Sequence, residues 1–229
     1  MPETDGYQPL RRELSRSPET LREMFAALHY GRGSLNDCFL DDVLGLPLLG
    51  DQQERLEGQR SLYTEDGRLE RVVYQGTPYN LIREGINWVQ PTASDVVYDL
   101  GCGYGRVCLY GALNTEAQWR GVELASSRLA VARNVQEQFA IANVAFREGN
   151  AVEENMEDGT IFYLFNPFSD QTLADVMEKL RDIASKKPIR IISYWTWWRW
   201  QIPSWLKVVK TSRQDSYFTL LASQDLSAA

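Results

Sequence analysis

Residues 96–107, VVYDLGCGYGRV, constrain the fold of this chain more than any other segment. Val96, Val97 and Tyr98 are strand formers. Asp99 closes the strand, and Gly101, Gly103 and Gly105 let the backbone bend and approach a ligand with no Cβ in the way. Residues 106–112 read as a helix, whose first N–H groups have no intrahelical acceptor and point at whatever sits in the turn. Strand, glycine turn and helix in that order make one unit of a parallel sheet. Open α/β sheets bind nucleotide-like ligands at such turns.

The spacing of the glycines narrows the ligand. A dinucleotide fingerprint has G-x-G-x-x-G, with its third glycine packing helix on strand. Here that glycine comes one position early, and Arg106 stands in its place. A second signal follows. Residues 119–124 read as another strand ending in Glu123, about 20 residues past the turn, where an acid grips a ribose diol. A carboxylate suits this task because both of its oxygens accept hydroxyl protons. Ser126 and Ser127 are candidate caps for the next helix, which carries Leu129, Val131, Ala132 and Val135 on one side.

The pattern D-L-G-C-G-Y-G, followed by Glu123, resembles the class I S-adenosylmethionine-dependent methyltransferases. The resemblance extends over roughly residues 77–223. It implies a bound S-adenosyl-L-methionine, with Asp99 near the methionine ammonium, the turn Leu100, Gly101, Cys102, Gly103 and Gly105 around the methionyl and ribose, and Glu123 with Leu124 at the sugar. VAFREGNAVE, residues 144–153, resembles the third strand and adenine-binding turn, at Asn150 and Ala151. Many members have an acid where this chain has Asn150, and an amide both donates and accepts. TIFYLFNPFSD, residues 160–170, resembles the fourth strand running into Asn166, Pro167 and Phe168, beside the transferable methyl. N-P-F is similar to the N-P-P-aromatic signature of amino-group methyltransferases, without its second proline. TPYNLIREG ahead of the glycine turn has the layout of archaeal and histone-core protein lysine methyltransferases, and there Thr77 would close over the cofactor.

Organisation follows from helix signals and strand alternation. Ser17-Pro18 starts a helix, with Leu21, Met24, Phe25 and Leu28 at helical spacing. Ser34 and Asp37 cap a second, and residues 51–62 read as a third, exposed one. Residues 1–76 form a helical extension that either covers the cofactor or buries one face of the sheet, and residues 77–229 form the methyltransferase domain. Thr77-Pro78 opens a further helix with Leu81, Ile82, Ile86 and Trp88 apolar. Residues 171–185 are helical, residues 188–195 a fifth strand, and residues 206–210 and 216–222 a closing antiparallel pair. The expected fold is therefore α/β: a doubly wound, Rossmann-like, seven-stranded, mostly parallel sheet with an antiparallel closing strand and an N-terminal helical extension.

Composition excludes several functions. A net charge of −7 opposes unassisted binding to a phosphate backbone, which rests on clustered Lys and Arg. It fits a basic peptide or a neutral metabolite better. Three cysteines, Cys38, Cys102 and Cys108, are too few for a disulfide framework, and no metal site is expected with His29 the single histidine. The first residues lack the apolar core of a signal peptide, and no apolar run approaches a membrane span. A cytoplasmic location is expected.

The acceptor is less legible. Methyl transfer from a sulfonium is an in-line displacement, so alignment supplies most of the catalysis, worth roughly 7–11 kcal/mol at the extreme. Asn166 is the candidate orienter and Phe168 a packing surface. In SYWTWWRW, residues 193–200, Trp195 and Trp197 are candidates for an aromatic wall holding an ammonium, with Tyr74 and Tyr79 weaker ones. Protein lysine is the first expectation for the acceptor, and a small molecule with a nitrogen or oxygen nucleophile the second. Cofactor binding without catalysis, as a scaffold or sensor subunit, is a third. A nicotinamide dehydrogenase is opposed by the early third glycine.

Overall fold

The computed structural model describes residues 17–27, 35–47, 62–63, 69–70, 74–194 and 202–224. Two short helices come first, α1 (Pro18–Ala27) and α2 (Leu35–Leu44). The Ser17 hydroxyl accepts the backbone N–H groups of Glu19 and Thr20 at 3.1 and 3.4 Å, so Ser17-Pro18 is the start expected. A small hairpin, β1 (Leu62–Tyr63) with β2 (Leu69–Glu70), was not anticipated. The expected third helix falls on residues 51–62, of which only Leu62 is described, in β1.

The remaining elements alternate as expected: α3 (Tyr79–Val89), β3 (Val96–Leu100), α4 (Arg106–Asn114), β4 (Gln118–Glu123), α5 (Ser126–Gln138), β5 (Val144–Glu148), β6 (Ile161–Phe165), α6 (Asp170–Ala184), β7 (Arg190–Tyr194), β8 (Leu206–Thr211) and β9 (Phe218–Ser223). Two expected caps differ. Pro78, not Thr77, is the N-cap of α3, and Ala125, not a serine, precedes α5, each without a side-chain capping bond. Thr77 is instead buried, and its carbonyl serves Arg106. At α6 the Ser169 hydroxyl does cap, accepting the Thr172 N–H at 3.3 Å.

The sheet order is β5-β4-β3-β6-β7-β9-β8. Pairings from β5 through β7 are parallel, and β9 joins β7 and β8 antiparallel. Each face has its own core, as a doubly wound sheet requires. On one face Val97, Ile161, Tyr163 and Ile192 pack with α3, α4 and α5. On the other Tyr98, Leu100, Phe162, Leu164 and Ile191 pack with Leu173, Val176, Leu180 and Ile183 of α6. A strand such as IFYLF is buried on both sides, so it is apolar without alternation.

The first core also takes in Leu21 and Phe25 of α1 and Leu40, Val43 and Leu44 of α2. Phe25 meets Tyr110 of α4 edge-on at 4.8 Å, and the Arg22 guanidinium bonds the Leu113 carbonyl at the end of α4. The N-terminal helices thus form an outer layer against α3 and α4, and α2 reaches the first turn of α4 through the Asp41–Arg106 pair.

Candidate active site

Chain order reverses between β3 and β6, which lie side by side while their connections leave in opposite directions. A crevice opens at the carboxyl ends of the strands at such a reversal. Three strand ends build it here. The turn after β3 is tied to β4 by Gly101 and Cys102 N–H groups, both donating to the Val122 carbonyl at 2.8 and 3.0 Å. The turn after β6 crosses in front. A Cβ at Gly101, whose φ is +79°, would stand 2.7 Å from the Pro167 Cβ. Asn166 itself has φ 49°, a conformation Asn tolerates better than most residues.

Counted with the solvent space at its mouth, the crevice encloses about 710 Å³. Of the residues expected to bind cofactor or acceptor, Gly101, Gly103, Glu123, Leu124, Asn150, Ala151, Asn166, Pro167 and Phe168 line it. Thr77, Asp99 and Cys102 line a smaller cavity of about 270 Å³, which shares Tyr74, Gln75, Gly101 and Phe165 with the larger one. Leu100 is buried in the second core. Gly105, with φ +78°, is the N-cap of α4 and packs beneath the turn against Phe146. Tyr79 lies in the core, its hydroxyl donating to Asp41 at 3.0 Å. Trp195 and Trp197 lie outside the described residues.

The two strand-end acids sit in opposite circumstances. Glu123 is 7% exposed and well supplied with donors. Oε2 accepts the Gly103 N–H at 2.8 Å, Oε1 accepts the Ala125 N–H at 3.0 Å, and the Arg128 guanidinium stands 3.7 Å from Oε1. A carboxylate has about four acceptor sites, so each oxygen retains capacity for a hydroxyl. Asp99 is 3% exposed, with the weak Cys108 thiol donor 3.9 Å away. Burial, reinforced by the Glu123 charge, pushes Asp99 up to about 8. An ammonium beside it would replace the proton it holds.

These features fit S-adenosylmethionine: a carboxylate with free lone pairs for a ribose diol, and a buried acid short of donors for an ammonium. Asn150 lines the crevice with its amide engaged inside its own turn, Oδ1 accepting the Val152 N–H at 3.0 Å and Nδ2 donating to Glu153 Oε1 at 3.4 Å. At the far end Asn166 Nδ2 donates to Gln75 Oε1 at 3.2 Å, and Phe165 stacks on Tyr194 at 4.4 Å. The Tyr194 hydroxyl donates to Asp215 at 3.2 Å.

Several lining residues escaped sequence reasoning. Arg128 sits on α5, where only the apolar side was read, and its guanidinium also lies 5.9 Å from the Tyr74 ring. Gln75 lies ahead of α3 with no motif to mark it. Phe165 reads as an ordinary strand residue. An arginine five positions after Glu123 is a signal of the needed kind, since a buried carboxylate needs a counter-charge.

This sheet, with its glycine turn and an acid at the end of each of two adjacent strands, defines a class I methyltransferase architecture. A methyltransferase-domain family model matches residues 91–192, the segment that carries the glycine turn and both strand-end acids, and it supports an S-adenosylmethionine-dependent methyltransferase. The chain is 28% identical over 128 residues to a protein-lysine N-methyltransferase of Saccharolobus islandicus (strain REY15A), covering 54% of this chain and 76% of that one. The solved structure of the yhhF protein from Escherichia coli shares the fold, with TM-score 0.53 and 17% identity over 69% of this chain and 93% of that one. An RNA methyltransferase from Salinibacter ruber, solved with S-adenosyl-L-homocysteine, matches at TM-score 0.47 and 24% identity, covering 65% of this chain and 92% of that one. Among the described residues no helix is long and apolar enough to cross a membrane, and no group of three or more His, Cys, Asp or Glu is placed to hold a metal.

Proposed function

We propose that this enzyme methylates the side-chain amine of lysine in a protein acceptor. The observation that carries this reading is the corner at the end of β6. Asn166 is held in a left-handed conformation, its amide donor engaged by Gln75. Oδ1 and the backbone carbonyl are then the acceptors that orient an incoming amine. Phe165, Phe168 and Tyr194 are apolar surface beside it. Lysine has an ordinary pKa of about 10.4, and desolvation against such surface favours the neutral, nucleophilic form. Bound S-adenosylmethionine supplies a methyl on a positively charged sulfur, already activated for in-line transfer. Glu123 holds the ribose, Asp99 the amino-acid end and Asn166 the acceptor. The net charge of −7 suits a basic substrate, and the Saccharolobus islandicus relative is named a protein-lysine N-methyltransferase.

The test is incubation of the purified enzyme with tritiated S-adenosylmethionine and a panel of basic proteins, then acid hydrolysis. Label in methyl-lysine is expected. Asn166→Ala should lower kcat by roughly 10²–10³-fold with little change in the KM for S-adenosylmethionine. Label confined to the small-molecule filtrate, or released by mild base as an ester, would overturn the lysine assignment.

A further inference from the structure

Arg106 is the first residue of α4 and the one that stands where a dinucleotide fingerprint has glycine. Its side chain is about one-tenth exposed and lines the smaller cavity with Thr77, Asp99 and Gly101. Nη1 donates to the Thr77 carbonyl at 2.9 Å and Nη2 to Asp41. Nε is buried and has no acceptor among the described residues. A buried donor without an acceptor in the wall of a ligand cavity marks a missing anionic or polar atom. Across the same cavity Asp99 is a buried carboxyl short of donors. One cavity thus offers an excess cationic donor and an excess acid acceptor, which is the complement of a zwitterionic α-amino acid.

We propose that Arg106 binds the α-carboxylate of the cofactor, with its amino-acid end seated in the smaller cavity between Arg106 and Asp99. The inference rests on the reading that the adjoining crevice takes the nucleoside of S-adenosylmethionine. A guanidinium suits a carboxylate in charge and in planar geometry, and the positive end of α4 adds to the attraction. Asp41 and the Thr77 carbonyl fix the guanidinium before the ligand arrives, so α2 is a positioning element for cofactor binding.

Calorimetry with two ligands tests this. S-adenosylhomocysteine carries the amino acid, and 5′-methylthioadenosine carries the nucleoside and thioether without it. Arg106→Gln should weaken S-adenosylhomocysteine about 10–100-fold and 5′-methylthioadenosine less than threefold. Glu123→Ala should weaken both. If Arg106→Gln does not fold, by circular dichroism, Arg106→Lys takes its place and should show the same selective loss, about 3–10-fold. Equal weakening of both ligands, or of neither, in the folded variant overturns the role of Arg106 and leaves the crevice assignment intact. Failure of the parent protein to bind either ligand sinks the crevice assignment and this inference with it.

Discussion

Asp99→Asn should remove a steep fall of stability with rising pH. In the folded chain Asp99 keeps its proton to about pH 8, against an ordinary value of 3.8, because burial and then the Glu123 charge disfavour the anion. In the unfolded chain it ionises near its ordinary value. Between these limits the folded state binds more protons than the unfolded one, so raising the pH favours unfolding. Each pH unit in that window costs about 1.4 kcal/mol. From pH 5 to pH 8 the loss is therefore about 4 kcal/mol, a large part of the roughly 5–15 kcal/mol that holds a typical domain folded. Asparagine has the same shape and no proton to lose, so the variant lacks this slope. Urea unfolding of both proteins at pH 5, 6, 7 and 8 reads the effect directly. The difference between them should move in favour of the variant by about 1.4 kcal/mol per pH unit. Parallel stability lines would refute the claim that Asp99 is folded as a neutral acid. Saturating S-adenosylhomocysteine should flatten the parent's decline, since its ammonium makes ionised Asp99 the favoured form.

Three further outcomes follow from the geometry. Glu123→Ala should weaken S-adenosylhomocysteine at least 100-fold by calorimetry, because it removes the proposed ribose acceptor and frees the Gly103 and Ala125 N–H groups it organises. Gly105→Ala should cost about 2–4 kcal/mol in urea unfolding, since φ is +78° and the new Cβ would stand 2.7 Å from the Phe146 ring. Asp41→Ala should cost about 3–5 kcal/mol in the same assay by leaving the Arg106 charge buried without its partner.

The sheet was legible because its signals are local. Each parallel strand is a short apolar run followed by a turn residue, and the acids that matter stand at the strand ends, where the pleat leaves them facing the crevice. Boundaries shifted where local chemistry was ambiguous. Thr77-Pro78 and Ser126-Ser127 are both plausible caps by residue type, yet the N-cap of α3 falls one residue later, at Pro78, and Ser126 is already the first residue of α5. What the sequence did not disclose is long-range. Nothing in DCFLDDV indicates that Asp41 will neutralise an arginine 65 positions later. Nothing around Tyr74 and Gln75 indicates that they will form the wall shared by two cavities. The N-terminal helices were expected to cover either the cofactor or a sheet face. They pack outside α3 and α4, a choice set by Phe25, Leu40 and Leu44 finding a partner surface that no periodicity identifies.

The two strand-end acids explain why one turn can both hold its shape and still bind. Glu123 is a structural anchor before any ligand arrives: it accepts two backbone N–H groups, stands 3.7 Å from the Arg128 guanidinium, and through Gly103 holds the glycine turn in place. Asp99, one strand over, lacks that support and stays neutral instead. The unfavourable cost of charging it is met only when a cation enters the smaller cavity. On the proposed assignment, a ligand with a ribose and no amino group engages the half of the site that is already organised, whereas a ligand with both also changes the protonation of the other half. Affinity for S-adenosylhomocysteine should accordingly rise with pH below about 8, and affinity for 5′-methylthioadenosine should not. Asp99→Asn should abolish that difference in slope, and a slope that survives the substitution would place the titrating group elsewhere.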